Sequence, residues 1–216
     1  MGSPNWFSRL RGATVGRPDS RPKTEDAKDR MPTDNELHKA ANKGDLEVCQ
    51  RLVESPEEGE EAIDVNEPGA SDRRALHRSS GAGHLECTKY FLDKGAEIDA
   101  VDKSGRTALH WAAIAGFGEV VKLLLDSGTN VLLETTSKCN VLHLVCEAGK
   151  PDMIRLIFAH ESVAADEEKK TALTMAKNNE DKTPWQIAEG KKDRPLCQAL
   201  KDCGDVNGAS SSCTIA

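Results

Sequence analysis

Histidine is the residue type whose spacing first suggests chemistry in this sequence. Leu-His pairs occur four times, and the last three copies lie a constant 33 residues apart: Leu37-His38, Leu76-His77, Leu109-His110 and Leu142-His143. A zinc ion needs ligand nitrogens about 2.0–2.1 Å away, whereas neighbouring packed helices lie about 8–10 Å apart. Histidines at equivalent positions of successive repeats therefore cannot converge on one ion, so we predict no metal site and no cofactor.

Other candidates for catalysis are isolated. Cys139 follows Lys138, a cation that can lower a thiol pKa, but no base accompanies it, so we expect an incidental surface thiol. His160-Glu161 lacks the second histidine of H-E-x-x-H, and no G-x-S-x-G elbow or phosphate-binding glycine loop occurs. We predict that the protein is not an enzyme and has no small-molecule substrate. The opposing hypothesis, an enzyme using Cys139 or the histidines, requires these side chains to share one cleft.

The 33-residue period indicates the elements that carry these residues. A fixed period of this size is typical of supersecondary units that bury their apolar faces by stacking on their neighbours. In the third copy Gly105 suits a tight turn, Thr107 can cap a first helix, and Gly116 separates it from a second. Apolar residues from Val120 to Leu125 then recur at one-turn spacing. Each unit is therefore predicted to run turn, helix, turn, helix.

The segment Thr107-Ala-Leu-His110 and the alanines after it resemble the T-P-L-H-x-A-A core of the ankyrin repeat. The resemblance covers about four-fifths of the chain, residues 34–207. It implies an all-α ankyrin-repeat solenoid of about five helix-turn-helix units with short β-turn connections. It also implies histidines that hydrogen-bond backbone groups of the adjoining turn, and a non-enzymatic interaction module, a scaffold or adaptor, that binds a protein partner.

The resemblance and the composition divide the chain into three parts. We predict a disordered basic N-terminal segment at 1–33, the repeat domain at 34–207, and a flexible tail at 208–216. The units are predicted at 34–68, 69–101, 102–134, 135–178 with an insertion, and 179–207 as a C-terminal cap. Residues 161–180 contain either a short extra helix or a degenerate repeat. The role of Trp6-Phe7 is left open.

Charge and hydropathy restrict location and partner class. The net charge is -7, which argues against a nucleic-acid partner, since such proteins normally present a basic face. No run of 18 apolar residues occurs and no secretory signal is evident. Seven cysteines without a C-x-x-C pair are typical of a reduced compartment. We therefore expect a cytoplasmic protein.

The last four residues suggest a lipid modification. Cys213-Thr-Ile-Ala216 fits the C-a-a-X prenylation pattern, with an alanine that generally selects farnesyl. Thr214 is only weakly aliphatic, and no polybasic run precedes Cys213. One lipid gives weak, reversible membrane residence. A prenylated adaptor that recruits its partner to a membrane is therefore kept as an alternative function.

A basic stripe on the turns is the predicted binding surface. In ankyrin proteins the inter-repeat turns and first helices line a concave face that holds partners, and Arg73 and Arg106 are equivalent residues one repeat apart on such turns. Arginine and tryptophan are frequent interface anchors, and a basic stripe favours an acidic or phosphorylated peptide. The alternative is a solvated charged face with its tryptophan packed into the core. The predicted partner-binding residues are Arg73, Arg74, Arg78, Lys103, Arg106, Trp111 and Lys138.

Overall fold

A computed structural model of the protein describes residues 32–54 and 61–203. This part of the chain contains twelve α-helices and no strand. The helices are α1 (Glu36–Lys43), α2 (Leu46–Glu54), α3 (Ala75–Ala82), α4 (Leu85–Asp93), α5 (Ala108–Ala115), α6 (Gly118–Asp126), α7 (Val141–Ala148), α8 (Pro151–Ala159), α9 (Glu161–Ala164), α10 (Glu167–Met175), α11 (Pro184–Gly190) and α12 (Arg194–Cys203). None of the helices in these ranges is long and apolar enough to cross a membrane. The predictions on Trp6-Phe7, the tail and Cys213 lie outside the described residues.

Helix pairs stack on their sequence neighbours. The first helices α1, α3, α5, α7 and α11 contact one another in that order, and the second helices α2, α4, α6, α8 and α12 do the same. Two unpaired helices, α9 and α10, lie between the fourth and fifth pairs in sequence, in the segment where the period is interrupted. This arrangement confirms the predicted all-α fold built from repeated helix pairs.

The core follows the apolar pattern of the sequence. Leu109 is 1% exposed, and Ala112 and Ala113 of the same helix are fully buried, so their small side chains let neighbouring first helices approach closely. Val121 and Leu124 of α6 are also fully buried. Each such leucine contributes about 2 kcal/mol of hydrophobic stabilisation. The stripe that the sequence predicted from Val120 to Leu125 is therefore the core face of α6.

The turn before each first helix is held by a capping residue and a histidine. Thr107 accepts the His110 backbone N–H and caps α5, as predicted, while the Thr107 N–H donates to His110 Nδ1 at 3.1 Å. In the same way, the Arg74 N–H donates to His77 Nδ1 at 3.1 Å. Because Nδ1 accepts, the proton is on Nε2. In His77 this N–H donates to the carbonyls of Ala100 at 3.0 Å and Arg106 at 3.1 Å.

The other repeat histidines differ in how completely they are bonded. Nε2 of His38 and Nε2 of His143 each lie 3.1 Å from a backbone carbonyl of the following turn. Nε2 of His110, in contrast, is buried near the Leu133 backbone, and within the described ranges it has no hydrogen bond of good geometry. Burial lowers the pKa of all four histidines, that of His110 to about 4. At neutral pH they are therefore uncharged side chains that fix the turns.

Candidate functional site

Two predicted arginines meet at one tryptophan. Trp111 lies on α5, and the guanidinium carbons of Arg73 and Arg106 are each 5.2 Å from the centroid of its ring. Both distances are within the range of cation–π attraction. Gly81 on α3 lies against Trp111: a Cβ at that position would be 3.4 Å from Trp111 Cβ, an ordinary van der Waals contact. Arg73, Arg106 and Trp111 are called the arginine–tryptophan cluster below.

Asp102 fixes two members of this cluster. Its carboxylate is buried, and Oδ2 accepts the indole N–H of Trp111 at 3.1 Å. Oδ1 accepts the backbone N–H groups of Ser104 at 2.8 Å and Arg106 at 3.0 Å. One side chain thus holds both the turn that carries Arg106 and the orientation of the ring. The sequence prediction missed Asp102. Thr135, the equivalent residue one period later, is also polar, and this recurrence could have indicated a turn-forming side chain at Asp102.

Two of the other predicted arginines are neutralised within the protein. Arg74 pairs with Glu97, and Arg78 Nη2 lies 2.6 and 2.7 Å from the two carboxylate oxygens of Asp34. Asp34 also accepts the Ala70 N–H at 2.9 Å, so the Arg78 pair links the first and second units. Arg74 and Arg78 therefore have structural partners in the unbound protein.

The cluster arginines have no such partner. The side chains of Arg73 and Arg106 make no hydrogen bond or ion pair with any residue that the structure describes, and Arg73 Nε is buried without an acceptor. A guanidinium that stacks on a ring through its face still has N–H groups along its edge. These two cations are therefore held in position and are available for an anion.

The two predicted lysines contribute in another way. Lys103 and Lys138 are exposed, and within the described ranges neither ammonium group forms an ion pair. Their backbones belong to turns that bond to one another in series: the Lys103 N–H donates to Ser71 at 3.0 Å, and the Thr136 N–H donates to Ser104 at 3.1 Å. The lysines thus add positive charge beside the cluster without a fixed contact.

A cavity of about 310 Å³ adjoins the cluster. Arg106 lines one side of it, and Glu147 of α7 and Glu180 line it as well. Glu180 pairs with Lys182 at 2.7 Å, whereas the Glu147 carboxylate has no hydrogen bond or ion pair with a described residue. The remaining walls are mainly hydroxyl and amide side chains: Ser104, Thr135, Thr136, Ser137, Asn178 and Asn179. This cavity can accept polar or charged groups next to Arg106.

A larger cavity, of about 720 Å³, lies among α6, α8 and α9, away from the predicted residues. His160 on its wall is 2.8 Å from Asp126 through Nε2 and 2.9 Å from Ser162 Oγ through Nδ1. The row Ser162, His160 and Asp126 has the residue types of a hydrolytic triad. However, His160 Nδ1 also accepts the Ser162 backbone N–H at 3.3 Å. The row therefore caps the start of α9, which accounts for its geometry.

The prediction that Cys139 is a surface thiol is wrong. Cys139 is 5% exposed, and burial raises the pKa of its thiol. The Thr135 hydroxyl accepts the Cys139 N–H at 3.2 Å, so the turn closes and the side chain points inward. The adjacent lysine, Lys138, is exposed and does not offset this burial.

One comparison with known proteins covers the repeats that carry the cluster. A family model described as ankyrin repeats, in three copies, matches residues 37–135. The matched range contains the arginine–tryptophan cluster, Asp102 and three of the four Leu-His pairs. Helix pairs of the same kind continue beyond it to Cys203. Residues 37–135 are therefore a block of ankyrin repeats.

Proposed function

We propose that this protein is a non-enzymatic adaptor that binds an acidic or phosphorylated segment of a partner protein across its turns and first helices. Ankyrin repeats are generally protein–protein interaction modules, which supports the general class. One observation carries the specific proposal: Arg73 and Arg106 stack on one fixed indole without an anionic partner among the described residues. The neighbouring Arg74 and Arg78, by contrast, are already paired.

Geometry and charge both favour an anionic ligand at the arginine–tryptophan cluster. Arginine binds carboxylate and phosphate through two parallel N–H groups, which gives short, strong hydrogen bonds. Stacking on Trp111 restricts the rotamers of Arg73 and Arg106, so less side-chain entropy is lost when a partner binds. The chain as a whole carries a net charge of -7. A local pair of cations on an acidic protein therefore selects where an acidic segment binds and how it is oriented.

The test is a charge reversal that leaves the fold intact. We expect R73E/R106E to lower capture of the main partner from native cell lysate at least tenfold, measured by affinity capture and quantitative mass spectrometry. The double variant R51E/R194E changes the net charge equally at exposed positions on α2 and α12, and it should capture as the wild type does. Melting temperatures of both variants should stay close to that of the wild type. Equal capture by all three proteins would reject the site.

A further inference from the structure

The cavity beside the arginine–tryptophan cluster has a charge distribution opposite to that of the cluster. Arg106 borders both, while Glu147 and Glu180 line the part of the cavity formed by later repeats. We propose that the bound segment carries a lysine or arginine whose side chain enters this cavity and contacts Glu147. This proposal rests on the proposed function, because the anionic side chain held by Arg73 and Arg106 sets the position of the segment.

Glu147 is the carboxylate in this cavity that is available to a cation. It is exposed near the end of α7, and its carboxylate has no hydrogen bond or ion pair within the described residues. Lys191 approaches, but its ammonium donates to the Glu147 backbone carbonyl and leaves the carboxylate free. Among the described residues, the Glu180 carboxylate pairs only with the exposed Lys182, and exposed ion pairs exchange readily for new ones.

The remaining walls suit an ammonium or guanidinium group. Thr135, Thr136 and Ser137 carry hydroxyl oxygens, and Asn179 adds an amide. An ammonium group has three N–H donors and no acceptor, so it needs several oxygens around it. A second anion would meet Glu147 and Glu180, and such like-charge contact opposes binding. The cavity therefore discriminates between a segment that is acidic throughout and one in which acidic and basic residues are close together.

The size of the cavity sets the spacing between the two ligand side chains. Arg106 lies before the start of α5 and Glu147 near the end of α7, and both side chains line the same cavity of about 310 Å³. A compact cavity of this volume is roughly 8 Å across, and an extended chain advances about 3.3 Å per residue. The anionic and cationic residues of the partner are therefore expected about three positions apart, as anion-x-x-cation or in the reverse order.

The experiment uses the full chain and synthetic peptides. Fluorescein-labelled peptides of about twelve residues carry one phosphoserine or glutamate and one lysine three positions before or after it, and in the matched peptides alanine replaces this lysine. Fluorescence polarisation gives the dissociation constants. In at least one order, we expect the lysine peptide to bind about five- to tenfold more tightly than its alanine counterpart, the ratio that one added charge contact typically gives.

Variants of the protein test whether Glu147 causes the preference for the lysine peptide over the alanine peptide. E147Q should abolish the preference for lysine without weakening the alanine peptide, and E147K should prefer a peptide with glutamate at this position. E119Q, an exposed carboxylate on α6, is the matched control and should keep the wild-type ratio. Equal affinity of the wild type for lysine and alanine peptides would overturn the cation site but leave the proposed function standing. Failure of every peptide to bind the wild type at millimolar concentration would contradict both proposals.

Discussion

Replacing Asp102 by asparagine should separate the two tasks of this carboxylate. Its Oδ1 holds the turn through two backbone N–H groups, and its Oδ2 holds the indole of Trp111. The turn before α11 provides an internal precedent: Asn178 Oδ1 accepts the N–H groups of Glu180 at 2.9 Å and Lys182 at 3.0 Å. An amide oxygen therefore satisfies the same turn, so D102N should keep the turn and lose the bond to the indole.

The expected cost follows from the number of bonds changed. A hydrogen bond to a charged group contributes about 1.5–3 kcal/mol, and a neutral one about 0.5–1.5 kcal/mol. D102N removes one charged bond to Trp111 and converts two others to neutral bonds, so the lower ends of these ranges give a loss of about 3.5 kcal/mol. D102A removes the acceptor from all three donors of a side chain that is only 7% exposed. Its loss should be about 4.5 kcal/mol on the same basis.

Urea unfolding followed by far-ultraviolet circular dichroism measures both losses. A double-mutant cycle with W111F isolates the indole bond, because D102N should cost less when that N–H donor is already absent. Loss of the fixed ring should also weaken peptide binding in D102N. The reasoning would be refuted if D102N were as unstable as D102A, or if D102N cost the same in the W111F background as in the wild type.

Three further predictions concern the turns and the core. Burial holds the pKa of His110 at about 4, below the unfolded value of about 6.5, so the unfolded chain binds more protons between these two pH values. The contribution of His110 to stability is therefore complete above pH 6.5 and falls by up to about 3 kcal/mol as pH drops to 4. H110Q should reduce the pH dependence in unfolding titrations by this share, with the remainder due to the other three histidines, and an unchanged slope would contradict it. Gly105 and Gly128 both adopt positive φ, but an added Cβ at Gly105 would lie 2.8 Å from the Thr136 backbone nitrogen, whereas at Gly128 it meets nothing within 4 Å. We therefore expect G128A to cost about 1 kcal/mol and G105A about 1–3 kcal/mol more in urea unfolding, and equal costs would argue against a close approach of the turns. Cys139 should react with maleimide only after urea is added, as followed by peptide mapping, because it is buried and its pKa is raised; fast labelling of the native protein would disprove that burial.

The period of the sequence was sufficient to predict most of the fold. A 33-residue interval, a capping threonine and glycines at helix ends are local signals, and each corresponds to a local structure here, from the Thr107 cap to the left-handed Gly116 at the end of α5. The inserted helices α9 and α10 fall where that period is interrupted, so periodicity left their nature open. The inward orientation of Cys139 depends on how its turn closes, which the residue type alone does not indicate.

Part of the candidate site was also accessible from the sequence. The equivalence of Arg73 and Arg106 one repeat apart predicted that they would be neighbours, and Trp111 followed from its place on a first helix. Asp102 was missed because its function depends on a hydrogen bond between a turn and the helix after it. The weaker bonding of His110 Nε2 was missed for a similar reason, since the three other histidines in the same motif have backbone acceptors at 3.0–3.1 Å.

Charge alone could not have shown which arginines of the basic stripe are free to bind a partner, because the carboxylates that pair with the others are distant in sequence. Arg78 is 44 residues from Asp34, and Arg74 is 23 residues from Glu97. Each of these arginines would have to break an existing ion pair before it could bind a partner, and that cost reduces its contribution to affinity. Arg73 has no ion pair with a described residue to break, and it is already stacked on a ring. In a stack of repeats, a binding surface of this kind is therefore defined by the charges that neighbouring units leave unpaired, rather than by the total number of charges on a face.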